Sequence, residues 1–195
     1  MKVTVDGIGK LQDKYLNDLK DDNIYWLNES NLGKCLSEIF TGSEITHNKC
    51  IKGLNKLRPD YFIEDKNIVV EFHGPRHFKE IVCINNDFNK RNLCKSLDIH
   101  MIEIPYFIQL DYNMCDYYFK NYSTSYFDFN NGFPHGFIHP KCVLPYDFNK
   151  YGMDLFNNII MNLSVSHNYI VESIFKSIRI RSSLLKLDSS YIDIF

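Results

Sequence analysis

The chain has 195 residues, 45% of them hydrophobic and 24% charged, the balance of a globular protein able to bury a sizeable core. A net charge of −2 excludes the broadly basic surface by which many nucleic-acid binders hold a polyanion, so any phosphate contact has to come from a local patch. No apolar run reaches the roughly 18 residues that a transmembrane helix needs, so no membrane partner is expected.

The opening MKVTVDGIGK has no apolar segment after Lys2, so a secretory signal is not expected. Six cysteines (Cys35, Cys50, Cys83, Cys94, Cys115, Cys142) occur without a C-x-x-C pair. They read as free thiols of a reducing, intracellular compartment, either cytoplasm or nucleoid/nucleus.

Residues 2–5 could form a short strand, stopped by Asp6-Gly7. Leu11, Tyr15, Leu16 and Leu19 recur at helical spacing between Lys10 and Lys20, before the polar break Asp21-Asp22-Asn23. Ser30 is the expected N-cap of a helix through Phe40, with Leu32, Cys35, Leu36, Ile39 and Phe40 on one stripe. Residues 41–57 have no clear period, with Ile45 a possible strand start.

The stretch from Leu57 to Phe78, LRPDYFIEDKNIVVEFHGPRHF, carries the densest chemistry. Asp60-Tyr-Phe-Ile and Ile68-Val-Val-Glu-Phe-His73 are rich in strand formers, and Glu64-Asp65-Lys66-Asn67 lies between them as a turn. A turn of two or of four residues sets Ile63 opposite Ile68, and therefore Asp60 opposite Glu71. Opposed residues share a face with Cβ atoms about 4.5–5.5 Å apart, and strand alternation adds His73 to that face. Tyr61, Ile63, Ile68, Val70 and Phe72 take the other face as core. Facing carboxylates repel unless a cation lies between them, and Mg²⁺ takes one or two carboxylates with waters and phosphate oxygens.

Beyond Gly74-Pro75, Asn85 or Asn86 is expected to cap a helix through Leu97, with Asp87 in its first turn complementing the dipole. Residues 99–106 then read as a strand, which makes a βαβ unit with parallel strands.

The arrangement R-P-D-(x)₁₀-E-x-H-G-x-x-H, followed by D-x-x-K and a strand ending I-P-Y, resembles the PD-(D/E)XK nuclease superfamily. Within it the likeness is to the branch containing very-short-patch repair endonucleases and their small relatives, over roughly residues 30–107. The resemblance implies an α/β fold with a restriction-endonuclease-like core: a mixed sheet of about four or five strands flanked by helices. It implies Asp60 and Glu71 as ligands of Mg²⁺ or Mn²⁺, His73 and His77 as further catalytic residues, and Asp87 with Lys90 as an acidic–basic pair on the next helix. It also implies hydrolysis of phosphodiester bonds in nucleic acid, DNA favoured. No lysine stands two residues after Glu71, where the pattern has one; His73 takes that place. An imidazole, with an ordinary pKa of roughly 6.5, can exchange a proton near neutrality. A nuclease-fold protein without activity, binding nucleic acid or a protein partner, is the competing class.

Arg76, Lys79, Lys90 and Arg91 gather near the end of the hairpin and on the following helix. They read either as phosphate-binding groups or as a solvated helix face. Residues 1–107 are thus expected to form the nuclease-like core, with 108–195 an aromatic-rich and helical extension packed on it. In that extension His135, His139 and Cys142 have the spacing H-x₃-H-x₂-C. With Cys115 as a fourth ligand they could hold zinc, or the block is a turn-rich aromatic loop. Helices are expected over roughly 153–163 and 169–187, the second with Ile170, Ile174, Ile178 and Leu185 on one side and Lys176, Arg179, Arg181 and Lys186 as basic groups. This extension is where a protein partner could dock.

Overall fold

The structure is a computed structural model and describes residues 27–54, 58–108, 110, 112–121 and 143–184. The expected strand at 2–5, the helix at Lys10–Lys20, the block holding His135, His139 and Cys142, and Leu185 and Lys186 lie outside the described residues.

The first described helix, α1 (Glu29–Ile39), buries Leu32, Cys35, Leu36 and Ile39, the stripe anticipated from spacing. Its cap is Asn28 rather than Ser30. The Asn28 carboxamide oxygen accepts from Asn31 N at 2.8 Å, which moves the start forward and leaves Ser30 inside the first turn. Strand β1 (Ile45–His47) pairs antiparallel with β2 (Tyr61–Ile63), Ile45 opposite Ile63. In turn β2 pairs antiparallel with β3 (Ile68–His73), with Ile63 opposite Ile68 and Tyr61 opposite Val70. This is the register expected from the four-residue loop. Glu64–Lys66 form one 3₁₀ turn and Asn67 closes it at φ 54°, a left-handed conformation that Asn tolerates.

A short helix, α2 (Arg76–Lys79), and a long one, α3 (Ile81–Ser96), carry the chain to β4 (His100–Pro105). Strand β4 lies parallel to β3, with Ile68 opposite His100 and Glu71 opposite Glu103. The sheet is therefore mixed and four-stranded, in the order β1-β2-β3-β4. The expected cap at Asn85 or Asn86 is corrected: α3 starts earlier, at Ile81, and Asp87 sits in its interior and is buried. Interior Asn costs a few tenths of a kcal/mol in propensity, outweighed when the face of Asp87, Lys90 and Cys94 packs on the sheet.

Both sheet faces are covered. On one, Tyr61, Ile63, Ile68, Val70, Ile102 and Ile104 pack with α1 and with Cys115 and Phe119 of α4 (Tyr112–Phe119). On the other, Val69 packs with Leu54, Cys94 and Ile99. A second cluster joins Phe78 of α2, Tyr106 and Phe107 to α5 (Lys150–Ser166) and α6 (Asn168–Leu184). Ile170, Ile174 and Ile178 are buried there. Helix α5 is anchored against α2 by its cap: Asn149 accepts from Gly152 N at 2.8 Å and donates to the Lys79 carbonyl at 2.8 Å. A Cβ on Gly152 would overlap the Phe78 carbonyl oxygen, so only glycine allows this approach. The molecule is α/β, a four-stranded mixed sheet flanked by helices. No described helix is long and apolar enough to cross a membrane.

Candidate active site

Strand alternation sends Glu71 and His73 from β3, and Glu103 from the facing position on β4, toward α3. Helix α3 meets them with Asp87, Lys90 and Arg91, and α2 adds His77. The layer between sheet and helix is thus ionic at this end and apolar at the other, where Val69, Cys94 and Ile99 meet.

Asp60 stands one residue before β2, and its Oδ2 accepts from Phe72 N at 2.7 Å. The carboxylate so takes the place of a ladder partner for β3. Burial raises the Asp60 pKa above its ordinary value, and the Phe72 amide opposes that rise. Glu71 is 1% exposed. Its Oε2 accepts from Lys90 Nζ at 2.6 Å, while Lys90 also donates to the Arg58 carbonyl at 3.2 Å. Glu71 Oε1 is buried without a hydrogen-bond partner among the described residues. Burial, and then the nearby Asp60 charge, push the Glu71 carboxyl up to about 8, against the pull of Lys90.

His73 is 2% exposed. Its Nε2 lies 3.2 Å from Glu103 Oε1 and 3.8 Å from Asp87 Oδ2, yet makes no hydrogen bond. The approach to Glu103 is within ion-pair distance but forms no hydrogen bond, and it is an ion pair only when His73 is protonated. Burial holds the imidazole down to about 3, overriding the Asp87 charge, so His73 is neutral near neutral pH. His77 stacks on it with ring centroids 4.5 Å apart and planes 10° apart. Its Nδ1 donates to Asp87 Oδ2 at 2.7 Å. Arg91 Nε donates to both Glu103 oxygens, at 2.9 and 2.7 Å.

Asp60, Glu71, His73 and His77 therefore lie around one end of β3. The four residues expected to bind phosphate divide. Lys90 is committed to the buried Glu71, whose carboxylate needs a charged partner, and Arg91 to the half-buried Glu103. Arg76 and Lys79 are exposed, Arg76 paired with Glu80 at 2.8 Å. Sequence reasoning placed Asp87 at a helix start and gave Glu103 no role. The available signal was Asp87, Lys90 and Cys94 at i, i+3 and i+7, one helix face that is polar and inward. Cys115, the proposed fourth zinc ligand, is buried with its Sγ toward the Leu110 carbonyl at 3.8 Å.

Comparisons with family models, with curated proteins and with solved structures found no match.

Proposed function

We propose that this chain is a metal-dependent nuclease on a restriction-endonuclease-like core, hydrolysing phosphodiester bonds in nucleic acid, with DNA the favoured substrate. The observation that carries the reading is the Lys90 ammonium 2.6 Å from Glu71. It supplies from α3 the lysine absent two residues after Glu71, next to the Asp60–Glu71 pair. Asp60 and Glu71 would hold Mg²⁺ or Mn²⁺. The fit rests on Glu71 Oε1, a buried oxygen without a hydrogen-bond partner, beside a second carboxylate. A bound divalent ion makes water more acidic and offsets phosphate charge. Lys90 donates to Glu71 at the reacting end of the site and orients it by its second hydrogen bond, to the Arg58 carbonyl. His77, the more exposed of the stacked imidazoles, closes the edge of the site, and the exposed Arg76 and Lys79 position the phosphate backbone.

Cleavage of plasmid and single-stranded DNA with Mg²⁺ or Mn²⁺ tests this. Activity that falls by roughly 100-fold or more in Asp60→Asn and Glu71→Gln supports it. An inert, folded wild type, or variants that cut as well as wild type, ends it.

A second reading is favoured by the burial of Glu71 and His73: the same fold binding nucleic acid or a protein partner without cutting. Retarded migration of DNA or RNA with no cleavage under any divalent ion would select it. Docking of a protein through α5 and α6 belongs to this reading, and so does an intracellular setting.

A further inference from the structure

We propose that His73, His77 and Asp87 form a binding site for a divalent transition metal of the zinc class, distinct from the Asp60–Glu71 pair. One donor atom from each lies within 4.8 Å of the others. The three residues come from β3, α2 and α3, so the site exists only in the folded chain. The donor set is two imidazoles and one carboxylate, which suits zinc, cobalt or nickel, whereas Mg²⁺ prefers oxygen alone.

His73 Nε2 supplies the independent observation. It is a polar atom on a side chain 2% exposed, without a hydrogen-bond partner among the described residues, and it faces this group. Its 3.8 Å from Asp87 Oδ2, and the 2.7 Å from that oxygen to His77 Nδ1, bracket the donor spacing around one ion. Tetrahedral bonds of about 2.0 Å separate neighbouring donors by about 3.3 Å. An ion would displace the proton now shared by His77 and Asp87 and give His73 Nε2 a partner. It would also require the partly exposed His77 ring to turn out of its parallel stack on His73, so that both nitrogens converge.

The charge balance agrees. Asp87 contributes one negative charge, and the Glu103 charge beside His73 is matched by Arg91. An imidazole binds a metal in its neutral form, so the occupied donor set of two imidazoles and one carboxylate carries net −1, which attracts a cation in a partly buried layer. A cavity of about 480 Å³ between β4, α4 and α5 reaches His73 and Glu103, offering a way in and room for a fourth ligand. A proton on Nε2 is the competing occupant, and it predicts no dependence on metal.

The full chain, stripped with a chelator and dialysed, is titrated with Co²⁺ and with Zn²⁺. Visible absorption of cobalt, bound metal per chain and thermal unfolding are the readouts. The expected result is one equivalent with nitrogen-ligand cobalt bands, beside any cobalt held by the Asp60–Glu71 carboxylates, and a rise in unfolding temperature. His77→Ala and Asp87→Asn should weaken the binding that gives nitrogen-ligand bands by at least about 10–100-fold, while any cobalt on the Asp60–Glu71 carboxylates shows no such bands. His77→Ala is the safeguard against misfolding, since that side chain is 25% exposed. A folded wild type with no cobalt bands overturns the proposal. So do nitrogen-ligand cobalt bands that survive both His77→Ala and Asp87→Asn, which would place that ion on other histidines or cysteines. An absence of DNA cleavage bears on the phosphodiester reading alone, because cobalt binding is read without it.

Discussion

Lys90 and Glu71 form a buried ion pair whose members sit on different elements, 19 positions apart in the chain. Removing one partner from such a pair leaves a charge without compensation and costs roughly 3–5 kcal/mol, whereas replacing both is often near neutral. Above about pH 8, where Glu71 is ionised, Lys90→Met is therefore expected to lower the unfolding free energy by that amount, and by less at lower pH where Glu71 takes up a proton. The double variant Glu71→Leu with Lys90→Met, apolar on both sides, should recover much of it. Urea unfolding of the two singles and the double checks this, and additive losses would show that the pair does not act as a unit. Cys35 gives a second prediction at this scale. Burial, reinforced by Glu38, pushes its thiol from 9.0 up to about 12. The folded state then holds the proton between those values while the unfolded state releases it, so this group's contribution favours folding less as pH rises through that window. Under native conditions at pH 8, Cys35, Cys94 and Cys115 should resist alkylation while the exposed Cys50 reacts. Peptide mapping after a brief pulse of iodoacetamide checks it, and early labelling of Cys35 would contradict its burial.

At the scale of elements, the contact between α2 and α5 depends on Gly152. Glycine inside a helix is ordinarily about 1 kcal/mol worse than alanine, so Gly152→Ala would stabilise an isolated helix. Here the added methyl meets the Phe78 carbonyl, and the sign reverses. The variant is expected to lose about 1–3 kcal/mol, read as a lower thermal midpoint. An unchanged or higher midpoint would mean that α5 shifts freely on α2. The position matters beyond stability, because α2 carries His77 and the same contact fixes where that imidazole sits. Helix α3 shows a different economy of design. Its inward face at the site is Asp87 and Lys90, with Cys94 one turn further, so the helix is held to the sheet by charge pairing at one end and by apolar packing at the other.

At the scale of the molecule, β3 is the strand on which the rest converges. It is paired on both sides, antiparallel to β2 and parallel to β4, and both its faces are covered. Its amides should open only on global unfolding. In native-state hydrogen exchange the amides of Ile68–His73 are expected among the slowest, with β1 faster because it is short and on the sheet edge. Fast exchange in β3 would mean that the ionic layer opens locally. Much of this arrangement was legible beforehand. Alternation in 60–63 and 68–73, with a polar four-residue loop between them, determines which residues face each other, because a strand's side chains have only two directions to take. The helical stripe of Leu32, Cys35, Leu36 and Ile39 follows from spacing in the same way, and the β3–α3–β4 unit follows from element order. The start of α3, and the inward direction of Asp87, Lys90, Arg91 and Glu103, were not. Amphipathic pattern locates a helix face by its apolar residues, and this helix turns a polar face inward. Which cation meets which carboxylate across 12 or 19 positions is set only when sheet and helix close on each other. Strand alternation and loop length are local properties of residues 60–73, and they set the hairpin pairing that brings Asp60 to Glu71. The bond from Lys90 to Glu71, and the meeting of His73, His77 and Asp87, arise only as helix and sheet close, because desolvated charges select their partners by burial and distance rather than by order along the chain.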